Sequence, residues 1–144
     1  MTNKHSIKYK PILLIITGIL FITGCDLLIK STPLEGTQWV LVGWSNSTIA
    51  PEDFRITAQF NNGEISGQSA INSYGGNFSA YRNGDFSVSQ ISSTLMAGEE
   101  PAMQAEQVYF ELLSKAAFFT IRNQVDLFLY DSQQNELLVY HKTP

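Results

Sequence analysis

Short runs in which apolar and polar residues alternate, broken by turn residues, fill most of the sequence after residue 34 and constrain the fold more than any other feature. Residues 55–60 alternate in this way, and Asn62-Gly63 directly after them is a strong signal for a two-residue β-hairpin. Asn83-Gly84 is a second such pair. The alternation predicts seven to eight short strands, at residues 38–44, 55–60, 64–67, 77–81, 85–91, 117–121, 125–130 and 137–141.

One segment, residues 99–116, has the period of a helix instead. Pro101 suits a first helical turn, and Glu99 and Glu100 would lie at the positive end of the helix dipole. Apolar residues then follow at helical spacing, at Ala105, Val108, Tyr109, Leu112, Leu113 and Ala116. We therefore expect a single α+β domain, in which an antiparallel sheet curls into a partial barrel around one amphipathic helix.

The first 25 residues have the layout of a secretory signal peptide. Three lysines precede an apolar run over residues 12–22, and the small residues Thr23 and Gly24 then precede Cys25, the only cysteine of the chain. The apolar run is too short to cross a bilayer, which needs about 20 residues. A single cysteine also excludes an intrachain disulfide and a cysteine-ligated zinc site.

The tetrapeptide Ile22-Thr23-Gly24-Cys25 resembles the lipobox of bacterial lipoproteins. The resemblance implies cleavage before Cys25 and attachment of a diacylglyceryl group to its thiol, and two or three acyl chains suffice for stable membrane anchoring. The chain would then comprise a signal peptide at residues 1–24, a lipidated tether at 25–33 and a folded domain at 34–144. The alternative left open is an uncleaved signal anchor with a buried thiol.

Five short motifs follow one another through the folded domain. Their residues are Leu34, Gly36, Thr37 and Trp39; Ser66, Gly67, Asn72, Tyr74 and Gly76; Ile91, Thr94, Leu95, Met96 and Ala97; Glu106; and Leu127, Leu129 and Asp131. In this order they resemble the motifs of the META domain, the fold of HslJ-type heat-shock lipoproteins. The resemblance covers residues 34–140 and implies a strand-rich domain with a role in envelope maintenance or stress tolerance.

Members of that family often carry one cysteine before the asparagine and a second after the Met-Ala pair, at positions occupied here by Ile71 and Gly98. The joint absence of both cysteines is expected if the two positions face each other. The resemblance thus implies that packing alone holds this part of the domain, with a loss of about 2–4 kcal/mol of cross-link stabilisation. Burial of the Ile71 side chain would recover part of that loss.

The candidate binding surface comprises Asn72, Tyr74, Gly76, Thr94 and Met96. In the functional interpretation, an amide and a phenol on a surface loop bind a ligand, and Thr94 and Met96 line the mouth of its pocket. In the structural interpretation, Asn72 and Gly76 permit a bulge or a tight bend, and Met96 fills a gap in the packing. The structural interpretation is the more common one for Asn and Gly in a strand-rich fold.

The net charge and the small number of potential catalytic residues argue against nucleic-acid binding and against catalysis. Removing Lys4, Lys8 and Lys10 from the nine basic residues leaves six against 13 acidic residues, a net charge of −7 that opposes binding to nucleic acid. His141 is the only histidine after Cys25, and the sequence indicates no nucleophile and orienting acid for it. We therefore expect no catalysis, no metal and no cofactor.

These observations predict a monomeric, exported lipoprotein that is anchored to the cell membrane through Cys25, on the periplasmic or extracytoplasmic face. Its META-like domain would act by binding an unidentified envelope protein or a small ligand. The alternative is a carrier or pilot-type chaperone that holds a lipid chain or a partner peptide inside the barrel. This alternative requires an internal cavity of several hundred Å³.

Overall fold

The computed structural model describes residues 32–45 and 47–144. The predicted signal peptide, Cys25 and most of the predicted tether lie outside the described residues. In the described part of the chain there are eight strands, one 16-residue α-helix and a short 3-10 helix at Pro51–Phe54. The strands are β1 (Thr37–Trp44), β2 (Thr57–Asn61), β3 (Glu64–Gln68), β4 (Ser73–Ala80), β5 (Phe86–Ser93), β6 (Phe118–Arg122), β7 (Asp126–Tyr130) and β8 (Glu136–Lys142), and the helix is α1 (Glu100–Lys115).

The strands form one antiparallel sheet in the order β5-β4-β3-β2-β1-β8-β7-β6. The sheet curls so strongly that the starts of its two edge strands meet. There the Phe86 N–H donates to the Ala117 carbonyl at 2.9 Å, and the Phe119 N–H donates to the Gly84 carbonyl at 2.8 Å. The predicted fold class, an α+β domain in which one helix accompanies a curled antiparallel sheet, is confirmed.

One turn and one strand start show how local chemistry shapes this sheet. Asn62 and Gly63 join β2 to β3 with φ of +54° and +79°, as a tight hairpin turn requires. By contrast, β4 begins at Ser73, well before the predicted strand at residues 77–81, because the glycines at 75 and 76 hide the strand pattern. A Cβ at Gly76 would lie 2.9 Å from the Ser89 carbonyl oxygen, so this glycine permits the close approach of β5.

The helix α1 spans the hollow of the curled sheet, and Tyr109 at its centre shows this most directly. The Tyr109 hydroxyl lies 2.6 Å from the Tyr74 hydroxyl on β4 and 3.2 Å from the Tyr140 hydroxyl on β8. Since three strands separate β4 from β8 in the sheet, one side chain reaches both only across the hollow. Within the described residues, no helix has the length and apolar character needed to span a bilayer.

Large side chains fill the space between the sheet and the helix. Those that are fully buried are Leu34, Trp39, Leu41, Ile56, Phe60, Ile65, Tyr109, Leu113, Leu127, Leu129, Leu138 and Tyr140. Clefts of about 270, 440, 710 and 770 Å³ lie between described residues, and each of these opens to solvent at the surface. The interior is therefore packed with side chains, as is usual for small barrels.

Candidate functional site

The site is organised around the buried side chain of Asn72, which is 3% exposed and directly precedes β4. Its Oδ1 accepts hydrogen bonds from the Thr94 hydroxyl at 2.7 Å and from the Met96 N–H at 2.8 Å. Its Nδ2 donates to the Met96 carbonyl at 3.3 Å and to Glu106 Oε1 at 2.8 Å. The amide thus uses both donors and both lone pairs, and it holds the backbone of Met96 through the N–H and the carbonyl together.

Glu106 reaches this network from the middle of α1 and binds the turn that leads into β4. Its Oε2 accepts hydrogen bonds from the Ser69 hydroxyl, from the Asn72 N–H at 3.0 Å and from the Ile71 N–H at 3.4 Å. Partial burial raises the pKa of Glu106, but the hydrogen bonds from Ser69, Asn72 and Ile71 outweigh it and hold the pKa below its usual range. The carboxylate is therefore charged at neutral pH and ties α1 to the sheet.

The segment 94–98 between β5 and α1 is fixed by these contacts, yet its apolar side chains face solvent. In addition to the hydrogen bonds that join Thr94 and Met96 to Asn72, the Thr94 N–H donates to the Ser73 carbonyl at 3.0 Å. Leu95 is 97% exposed and Met96 is 59% exposed. Met103 is 52% exposed and lies one helical turn before Glu106, on the same side of α1. We call Leu95, Met96 and Met103 the Met96 surface.

Ile71 and Gly98 lie in contact on the inner side of this segment. A Cβ placed at Gly98 would be 2.5 Å from Ile71 Cδ1 and 2.8 Å from Ile71 Cγ1. The expectation that these two positions face each other is confirmed. The isoleucine side chain occupies the space that a side chain at position 98 would need, so the two residues fill this space as a matched large and small pair.

A chain of three buried tyrosine hydroxyls lies deeper than the Asn72 network. Tyr74 donates to the Thr57 carbonyl at 2.9 Å, and its oxygen lies beside the Tyr109 hydroxyl, which also receives a bond from Tyr140. Burial raises the pKa of all three phenols well above the usual value for tyrosine. The hydroxyls are therefore neutral and serve as internal hydrogen-bonding groups.

The structure brings together three of the five residues in the sequence-predicted surface. Asn72, Thr94 and Met96 are joined by direct hydrogen bonds, whereas Tyr74 points into the core and Gly76 packs against β5. The amide and the phenol are both occupied by internal bonds and do not stand on a surface loop. Met96 does face solvent, as does its neighbour Leu95, which was not among the candidate binding residues.

His141 has an acidic partner that sequence reasoning missed. Its Nδ1 lies 2.9 Å from Asp126 Oδ1, because the two residues are paired across β7 and β8. Register between neighbouring strands was the signal that could have found this pair. The imidazole is exposed on the outer side of the sheet, away from the Asn72 network. Among residues 32–45 and 47–144, no three His, Cys, Asp or Glu side chains come together as a group that could hold a metal ion.

Comparison with models of known protein families assigns this fold to a family. The family model of the META domain matches residues 32–144, which include every described strand and the helix. The chain belongs to the META domain family. The resemblance seen in the sequence motifs is thereby confirmed, and the Asn72 network joins three of those motifs within the META domain.

Solved structures agree with the META domain fold. An NMR structure of a protein from Burkholderia xenovorans is similar with a TM-score of 0.63 and 22% identity, covering 78% of this chain and 88% of that chain. A crystal structure of a DUF4847 family protein from Bacteroides vulgatus is similar with a TM-score of 0.54 and 15% identity, covering 75% and 93% of the two chains. No protein of curated function matches the sequence significantly. At these identities the similarity establishes the fold alone.

Proposed function

We propose that this protein is a membrane-anchored lipoprotein whose META domain acts by binding in the cell envelope, without catalysis. The observation that carries the proposal is the position of Cys25. The only cysteine of the chain stands at the end of an apolar run, directly after Thr23-Gly24, where lipoprotein processing requires a thiol. Lipidation of that thiol would hold the domain at the membrane through the short segment that precedes Thr32.

The arrangement of polar groups in the META domain supports binding over chemistry. The carboxylate of Glu106 and the amide of Asn72 are saturated by internal hydrogen bonds. Asn72 holds the backbone of Met96, and the exposed side chains of the Met96 surface are a leucine and two methionines, which have no acid–base or nucleophilic chemistry. A role in stress tolerance follows from the resemblance to heat-shock lipoproteins and is part of the proposal on that ground.

The carrier alternative receives no support from the packing. It needs room inside the barrel for an acyl chain or a peptide, and that space is occupied by buried side chains such as Trp39, Phe60 and Tyr109. Opening it would expose large aromatic groups, each of which contributes about 1.5–3 kcal/mol when buried.

Metabolic labelling with a clickable palmitate analogue tests the anchor. Full-length protein expressed in a bacterium should incorporate the label, and the Cys25→Ser variant should not. A matched control, Ser31→Cys in the Cys25→Ser background, supplies a thiol a few residues further along and should also remain unlabelled. Equal labelling of the wild type and the Cys25→Ser variant, or no labelling of the wild type, would overturn the proposal.

A further inference from the structure

We propose that the Met96 surface docks onto another protein, at an apolar pocket flanked by lysine or arginine side chains. The inference rests on the proposed binding function and names the chemistry of its partner. Four observations support it. They are the fixed backbone beside the exposed Leu95 and Met96, the apolar type of these side chains, the acidic residues next to them, and the distance of the surface from the point where the chain enters the domain.

The first observation is that the exposed apolar side chains are held in place. Leu95 is 97% exposed although its neighbour Met96 is fixed through both backbone groups by Asn72. A loose loop could turn a leucine toward the core, but a backbone held by a buried amide keeps the side chain in water. Such pre-ordering lowers the entropy lost on association, which favours a binding role for the segment.

The second observation is the type of side chain at the surface. Met96 follows Leu95 in the chain, and Met103 is exposed on α1 one turn before Glu106, which is linked to Met96 through Asn72. Methionine adapts its shape to irregular apolar pockets. Because Leu95 is 97% exposed, a partner can remove its apolar side chain from water only by providing a concave apolar site. The partner surface is therefore expected to contain an apolar pocket and not a flat polar face.

The third observation is charge. Glu99 and Glu100 are exposed and follow the segment directly, and no lysine or arginine occurs in the sequence between Arg82 and Lys115. Two carboxylates beside the apolar side chains would be repelled by anionic lipid headgroups and attracted by basic side chains around a protein pocket. Charge thus favours a protein partner with a basic rim over the bilayer.

The fourth observation is location. The chain enters the domain beside the β2–β3 hairpin, where the Gly36 N–H donates to the Phe60 carbonyl and the Phe78 N–H donates to the Gly63 carbonyl. The 94–98 segment lies instead beside Ser73, five residues of β4 away from Phe78, a distance of about 17 Å. A membrane next to the β2–β3 hairpin, where the chain enters the domain, would leave the Met96 surface free for a protein partner.

Photo-crosslinking of the full-length protein in membranes of the source cells tests the inference. A photoreactive amino acid replaces Leu95, and the matched control carries it at Val125, an apolar residue that is 39% exposed in the β6–β7 turn. We expect a protein adduct from position 95 that is absent from position 125, and a crosslinked partner peptide with Lys or Arg beside apolar residues. The adduct yield should fall several-fold in the Glu99→Gln/Glu100→Gln variant and at raised salt.

The control for charge is Glu64→Gln/Glu136→Gln, which removes two exposed carboxylates elsewhere on the sheet and should keep the adduct. A lipid adduct alone, a second copy of this chain as the captured protein, equal adducts from both positions, or a yield unaffected by Glu99→Gln/Glu100→Gln would each overturn the inference. Palmitate labelling of the same preparations separates the two proposals. Loss of labelling with a specific protein adduct contradicts the anchor alone, and labelling without the adduct contradicts the docking surface alone.

Discussion

Replacing Asn72 by alanine tests whether one buried amide holds the Met96 surface in place. The side chain makes four hydrogen bonds, to Thr94, Glu106 and both backbone groups of Met96. A bond to a charged group such as Glu106 contributes about 1.5–3 kcal/mol, and a bond between neutral groups about 0.5–1.5 kcal/mol. Water can replace part of the bonds to Thr94 and Met96 because both residues lie at the surface. We therefore expect Asn72→Ala to lower the free energy of unfolding by about 3–4 kcal/mol.

Urea denaturation followed by circular dichroism measures this loss, and hydrogen exchange of the Met96 amide reports on the segment itself. Asn77→Ala is the matched control, since Asn77 lies on the same strand but is exposed and its side chain binds only Gln90 among the contacts described. The control should change the free energy of unfolding by at most about 0.5 kcal/mol. Small, equal losses in both variants, with the Met96 amide still protected in Asn72→Ala, would refute the reasoning.

Three further predictions concern the same region. Hydrogen bonds hold the pKa of Glu106 in the folded protein below its ordinary value of 4.5, which applies to the unfolded chain. The charged carboxylate therefore contributes its full stabilisation above about pH 4.5, and this stabilisation is lost as the pH falls through the lower pKa of the folded protein. Urea denaturation between about pH 6 and pH 3 should thus show a smaller loss of stability on acidification in Glu106→Gln than in the wild type, and parallel curves would contradict this. Leu95→Ser should change the free energy of unfolding by at most about 0.5 kcal/mol, since the side chain is exposed, and a larger loss would show that Leu95 packs against the domain. The double variant Ile71→Cys/Gly98→Cys should form a disulfide between positions 71 and 98, and this disulfide should raise the free energy of unfolding by about 3 kcal/mol relative to the reduced variant. If the thiols at positions 71 and 98 both remained free under oxidising conditions, the two positions would not face each other.

The parts of the fold that depend on local sequence were predicted correctly. The Asn62-Gly63 turn and the helical spacing from Ala105 to Ala116 both led to the observed elements, and α1 ends within a residue of the predicted segment. The start of β4 was missed because Gly75 and Gly76 carry no side chain from which an alternating pattern can be read. Gly76 permits the close approach of β5, and this is a requirement of the tertiary structure that no local pattern shows.

The site was less predictable because its contacts join distant parts of the chain. Asn72 was singled out, but its bond to Glu106 depends on how α1 crosses the curled sheet, and no local pattern encodes that crossing. Leu95 would be assigned to the core from its residue type alone, yet the backbone bonds of Met96 turn it outward. The pair Ile71 and Gly98 was predicted through the motif comparison, which already contains tertiary information.

The central claim, a binding domain held at the membrane by a lipidated cysteine, is tested most directly by the intact mass of the N-terminal fragment of protein extracted from membranes. The account predicts that the fragment begins at Cys25 and carries the mass of a diacylglyceryl group, with or without a further acyl chain. A fragment that begins at Met1 and contains an unmodified Cys25 thiol would contradict it.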